Sequence, residues 1–134
     1  MRAAPLLLLA FAASACASTP ARLHSGDQWR ATDVNGYPVA AERAPTLRLE
    51  AGERVSGTTG CNNYSGSYRV ASRDRISFGP LAVTRMACEP PLMEQERRFL
   101  AIMAQVQGYS LYGDGGISLI AADGSAVRFR REGR

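Results

Sequence analysis

The chain has 134 residues, 16 basic and 12 acidic, which gives a formal net charge of +4, together with three cysteines and one histidine. That length holds one domain. Mild, scattered basicity without a basic stripe interleaved with aromatics argues against nucleic-acid binding and leaves only generic attraction to anionic surfaces. Two domain thiols and one histidine do not make four zinc ligands, so neither a metal nor another cofactor is expected.

The chain opens with one positive residue, Arg2, then the apolar run Leu6-Leu7-Leu8-Leu9-Ala10-Phe11-Ala12, then the small residues Ala13-Ser14-Ala15 before Cys16. A positive start, a short apolar core and a small-residue exit read as an export signal over residues 1–15, too short to span a bilayer as a mature helix. A cysteine directly after the cut resembles the lipobox of bacterial lipoproteins, which implies lipid attachment at Cys16. Ala13 stands where Leu is usual, and Ala13-Ser14-Ala15 also suits ordinary signal peptidase, so simple secretion remains the competing outcome. With lipid, the expected address is the bacterial envelope, on the outer membrane facing the periplasm, because Ala17 stands where Asp would signal inner-membrane retention. Assigning Cys16 to lipid leaves Cys61 and Cys88 as a pair. Export permits a disulfide between them, worth about 3–4 kcal/mol in the chain-entropy picture; two separate buried thiols are the alternative.

Residues 16–26 are small and polar and read as the lipidated N-terminus and a flexible tether. The folded domain is expected over 27–131, with 132–134 as a tail. Asn35-Gly36 signals a tight turn, and Thr46 to Glu50 alternates with period two. Arg54 to Gly57 reads as its return strand, and Tyr64 to Val70 and Ile76 to Thr84 as two more strands. Glu89-Pro90-Pro91 opens an amphipathic helix at about 91–106, with Leu92, Phe99, Met103 and Val106 inward, Glu94, Gln95, Arg97 and Arg98 outward, and Gly108 as its stop. Strands follow at Tyr109 to Tyr112, Ile117 to Ala121 and Ala126 to Arg131. The expected fold is α+β, mostly β: a strongly curved antiparallel sheet or partial barrel of six to eight short strands with one helix on an open side.

The run Gly57-Thr58-Thr59-Gly60-Cys61-Asn62-Asn63-Tyr64-Ser65-Gly66-Ser67-Tyr68 is followed by Thr84-Arg85-Met86-Ala87-Cys88 and then by Met93, Glu96 and Phe99. Taken together these segments closely resemble the META domain, the family of the heat-shock protein HslJ, with its G-x-x-G-C-N-x-Y-x-G-x-Y, T-x-M-A-C and M-x-x-E-x-x-F pattern. The resemblance covers about residues 27–131. It implies a small, β-rich, envelope-associated domain linked to stress or motility, and supplies no enzyme activity or ligand.

Two readings of this corner stand side by side. In one, glycines bend it, Asn62 and Asn63 fill backbone bonds, and a Cys61–Cys88 bridge ties it to the loop before the helix. In the other, Asn62, Asn63, Tyr64 and Arg85 are displayed as a binding surface. No catalytic set is apparent: His24 lies in the tether, and neither a G-x-S-x-G elbow nor H-E-x-x-H occurs. The expected function is that of a non-catalytic, stress-linked envelope lipoprotein, a monomer held to the membrane by its lipid and acting through a β surface on another envelope component such as a protein. The alternative is a β-barrel-like module for a small apolar or glycan ligand.

Overall fold

The structure, a computed structural model, describes Met1, Ala3, Ala4, Ser14 and residues 22–133. The export signal and Cys16 therefore lie outside the described residues, apart from those four positions. Alternation of apolar and polar residues sets the strands: β1 (Gln28–Val34) buries Trp29, Ala31 and Val34, and β3 (Thr46–Glu50) buries Leu47 and Leu49. Between them a short strand β2 (Tyr37–Pro38) folds back on β1 through Asn35 and Gly36, both at positive φ as a tight hairpin requires, and a 3-10 turn spans Ala41–Arg43. Next come β4 (Arg54–Thr58), β5 (Asn63–Ser72), β6 (Arg75–Phe78) and a two-residue strand β7 (Ala82–Val83). Helix α1 (Pro90–Met103) precedes β8 (Val106–Leu111), β9 (Ile117–Ala121) and β10 (Ala126–Gly133).

All pairings are antiparallel, and the order β1-β3-β4-β5-β6-β8-β9-β10 closes on itself because β10 pairs back onto β1, from Gln28↔Gly133 to Val34↔Val127. The expected partial barrel is thus a closed barrel of eight strands, with β2 and β7 as short additions to β1 and β5. Closure removes the exposed edges that an open sheet would carry. Side chains fill the interior: Trp29, Leu47, Leu49, Val55, Ile76, Phe99, Met103, Ile117, Leu119 and Val127 are all essentially inaccessible.

The helix begins with Pro90 and Pro91, where missing N–H groups cost nothing. It sends Phe99 into the barrel, with its ring centroid 5.5 Å from that of Tyr64 and 6.5 Å from that of Phe129. Three expectations change here. The helix ends at Met103 rather than near 106, because the Gln105 N–H turns back to Ile102 O and Val106 is already an inward residue of β8. Helical and strand periodicity both place Val106 inward, so spacing alone does not separate them. Gly108 is accordingly no helix stop; it sits at a register shift of β8 against β9. Gln95, expected on the outer face, is buried with Phe99, Ile102 and Met103. The stretch from Ile76 to Thr84 does follow β5 throughout, but Gly79 and Pro80 divide it into β6 and β7.

Both ends of the domain reach further than expected. Leu23 packs against the core and the Gly26 N–H donates to Leu49 O at 2.7 Å, so residues 23–26 are docked rather than free tether. Glu132 and Gly133, expected in the tail, are the last residues of β10. Asp27 is buried and pairs with Arg131 of β10, a clasp across the seam of the barrel that no local sequence pattern signals. Because Phe99 joins helix to barrel, Phe99→Ala should destabilise the fold by about 3–5 kcal/mol, read as a lowered midpoint in urea denaturation.

Candidate functional site

The turn between β4 and β5 is built by two glycines for which no other residue fits. A Cβ on Gly57 would lie 2.2 Å from Thr46 O, and one on Gly60, at φ +97°, would lie 2.2 Å from Arg43 O and 2.4 Å from Gln95 Nε2. That close approach lets Gln95 Nε2 donate to Arg43 O at 2.8 Å and to Thr59 O at 3.1 Å, fastening the helix to two loops at once.

Inside the turn, Thr59 is fully buried. Its hydroxyl donates to Glu96 Oε2 at 2.6 Å and accepts from the backbone N–H groups of Cys61 at 3.2 Å and Asn62 at 2.9 Å. Asn62, 2% exposed, is fully committed. Its Nδ2 donates to Glu96 Oε2 at 2.9 Å and Met86 O at 3.2 Å, while its Oδ1 accepts from Thr84 Oγ1 at 2.9 Å and the Met86 N–H at 2.7 Å. Two donors and two acceptors exhaust the hydrogen-bonding capacity of an amide side chain. One residue therefore holds both the helix, through Glu96, and the segment 84–86. The disulfide between Cys61 and Cys88, Cα atoms 5.9 Å apart, ties the far end of that segment to the same turn.

These contacts divide the four residues expected as a binding surface. Asn62 and Tyr64 are internal. The Tyr64 hydroxyl donates to Thr46 O at 2.6 Å, and burial pushes its phenol far above the usual range, so it stays protonated. Asn63 and Arg85 are exposed on the outside of the turn and loop. The bracing role expected for the corner is what Asn62 performs; display belongs to Asn63 and Arg85. Glu96 and Gln95 are the site residues that mattered most and that surface-helix logic hides, since acids and amides on an amphipathic helix ordinarily face water.

Around this clasp runs an open groove between the segment 78–87 and α1. One part, of about 490 Å³, is lined by Phe78, Gly79, Pro80, Leu81, Val83, Leu100 and Ala104. A second, of about 480 Å³, continues past Leu81, Val83 and Leu100 to Thr84, Arg85, Met86, Met93 and Glu96. Met86 and Met93 are 59% and 48% exposed, unusual for large apolar side chains. Trp29 and Tyr64 are buried and bonded rather than open to a ligand, Trp29 through Nε1 to Gly115 O at 3.0 Å and Tyr64 through its hydroxyl to Thr46 O. Among the described residues, no group of three or more His, Cys, Asp or Glu side chains is placed to hold a metal ion.

The META domain family model matches residues 21–134. The chain belongs to the META domain family. This META domain is similar to a protein from Burkholderia xenovorans solved by NMR, at 26% identity with a TM-score of 0.69, covering 91% of this chain and 96% of that one. A second NMR structure matches at 23% identity and a TM-score of 0.63, over 79% of this chain and 89% of the other. A DUF4847 family protein from Bacteroides vulgatus shares the fold at 10% identity and a TM-score of 0.60, over 82% and 95% of the two chains. No curated protein matches the chain.

Two substitutions separate bracing from display. Asn62→Ala should cost about 1–3 kcal/mol in urea denaturation, because the backbone groups of Met86 and the Glu96 carboxylate lose their partner. Arg85→Ala should stay within about 0.5 kcal/mol of the parent. Verified reduction of Cys61–Cys88 should lower the thermal midpoint, the bridge closing a separation of 27 residues worth about 3–4 kcal/mol in the chain-entropy picture. An unchanged midpoint would remove the bridge from the account of stability.

Proposed function

We propose that this META domain is an exported, lipid-anchored envelope protein, linked to envelope stress, that acts without chemistry of its own by offering the groove beside its clasp to another envelope component. The observation that carries this reading is the division of labour around Asn62. Thr59, Asn62, Gln95 and Glu96 are consumed in holding turn, loop and helix together, while the groove beside them leaves Met86, Met93 and Arg85 in water and Leu81, Val83 and Leu100 half-buried. Methionine is flexible and polarisable and suits a surface that adapts to a partner. A protein partner is the first expectation.

A small apolar ligand is the second reading, favoured by the groove's volume, which lies in the range of small-molecule sites. On either reading the binding face is the outside of the barrel beside the helix, not its lumen, which side chains fill. Radioactive palmitate should label the protein in cells and Cys16→Ser should abolish the label; labelling that survives the substitution overturns the anchor. A photo-crosslinker at Met86 in intact cells should capture one defined component that a crosslinker at Ala122 does not. Met93→Glu should abolish that capture while leaving the thermal midpoint unchanged. Equal capture from positions 86 and 122 would contradict a role for the groove.

A further inference from the structure

The arginines that look scattered along the chain are not scattered on the barrel. Registers of β4, β5 and β6 place Arg54 opposite Ser67, Arg69 opposite Ser77, and Arg75 opposite Ser72. Val55 and Ile76 point inward, so their neighbours Arg54 and Arg75 point out, and Arg69 stands on the same outer face as Ser67 and Ser77. Arg54, Arg69 and Arg75 therefore form a diagonal row across three adjacent strands, each one a diagonal neighbour of the next, and Arg73 extends it at the tip of the β5–β6 hairpin. Residues 69–75 are all exposed.

None of these four arginines has an ion-pair partner among the described residues. Glu50, opposite Arg54 in register, is turned to the Ser56 hydroxyl at 3.0 Å and to Arg48, and Asp74 accepts from the Ser72 hydroxyl. The other arginine pair that the fold brings face to face, Arg30 and Arg130 on β1 and β10, is handled differently: Glu132 lies 2.7 Å from Arg30 and 3.9 Å from Arg130. Arg30 and Arg130 share one carboxylate, whereas Arg54, Arg69, Arg73 and Arg75 pair with none among the described residues, although Glu53 and Asp74 stand next to them in the chain. All 16 basic residues of the chain are arginine, whose planar fork suits phosphate oxygens.

The N-terminal segment meets the barrel on the same side. Gly26 is bonded to Leu49 at the end of β3, the strand next to β4, and the turn after β3 is bonded through Glu53 O to the Tyr68 N–H of β5. From Cys16 to Arg22 the chain spans at most about 22 Å when fully extended. A lipid at Cys16 would thus keep this wall close to the membrane while α1 and the disulfide turn, joined to the opposite ends of these strands, face away.

We propose that the wall carrying Arg54, Arg69, Arg73 and Arg75 docks on the phosphate headgroups of anionic lipid, so that the barrel lies on the membrane with its groove presented outward. The inference rests on the lipid anchor proposed above. The test uses the full lipid-bearing chain, its palmitate label verified, in phosphatidylcholine vesicles with and without phosphatidylglycerol, and maps arginine modification by phenylglyoxal. Anionic lipid should slow modification of Arg54, Arg69 and Arg75 by about fivefold each, what one basic residue gains near an anionic surface. High salt should restore the rate, and Arg128, on β10 and three or four strands from each arginine of the wall, should be unaffected. A triple Arg54→Gln, Arg69→Gln, Arg75→Gln variant should lose the protection of Arg73. Equal rates in the two vesicle types with the label intact, equal slowing at Arg128, or the same protection by inorganic phosphate alone would overturn the docking surface. Absence of the label would instead overturn the anchor.

Discussion

The side-chain amide of Asn62 is the point through which three separate parts of this fold are joined. Its two donors reach Glu96 of the helix and Met86 O of the preceding loop, and its two acceptor sites take Thr84 and the Met86 N–H. The backbone pairing that closes the barrel does not include the helix, and beyond Thr84 the loop up to Glu89 has few backbone bonds to hold it. Buried polar networks specify one arrangement when every member is satisfied, and here the amide, the Thr59 hydroxyl and the Glu96 carboxylate satisfy one another. Apolar packing through Phe99 supplies adhesion between helix and barrel; the polar clasp sets the register in which they meet.

Much of this fold is legible in the order of the amino acids. The alternation over Thr46 to Glu50, the turn residues and the Pro-Pro helix start are local signals, and local signals survive folding. The spacing of Cys61 and Cys88 with Gly57, Gly60, Asn62, Thr84 and Glu96 likewise points to a braced corner and to the META family. What residue order does not carry is which way a polar residue faces. Asn62 and Tyr64 have the chemistry of a display surface, yet one spends its amide and the other its hydroxyl inside. Gln95 and Glu96 fall on a helix where period and composition predict water; a tertiary partner, the Gly57–Gly60 turn, claims them instead. Barrel closure itself is a long-range fact, resting on pairing of residues near 30 with residues near 130.

The barrel has two ends with different surroundings. At one lie the clasp, the disulfide, the helix and the apolar groove with Met86 and Met93 at its rim. At the other lie the N-terminal segment, the Asp27–Arg131 pair and the exposed hairpin with its arginines. This polarity follows from antiparallel connectivity: the turns after β3, β5 and β8 gather at the end where β1 starts, and those after β4 and β9 at the end where it finishes. The groove and the docked N-terminal segment therefore lie at opposite ends of the barrel.

The central claim is that Asn62 and Glu96 act as one unit, and a double-mutant cycle measures it. Urea denaturation of the parent, Asn62→Ala, Glu96→Ala and the double variant should give a coupling energy of about 1–3 kcal/mol, as residues sharing one hydrogen-bond network do. Effects that add to within about 0.3–0.5 kcal/mol would mean the two side chains stabilise the fold independently, and the clasp would not be what holds the helix to the turn.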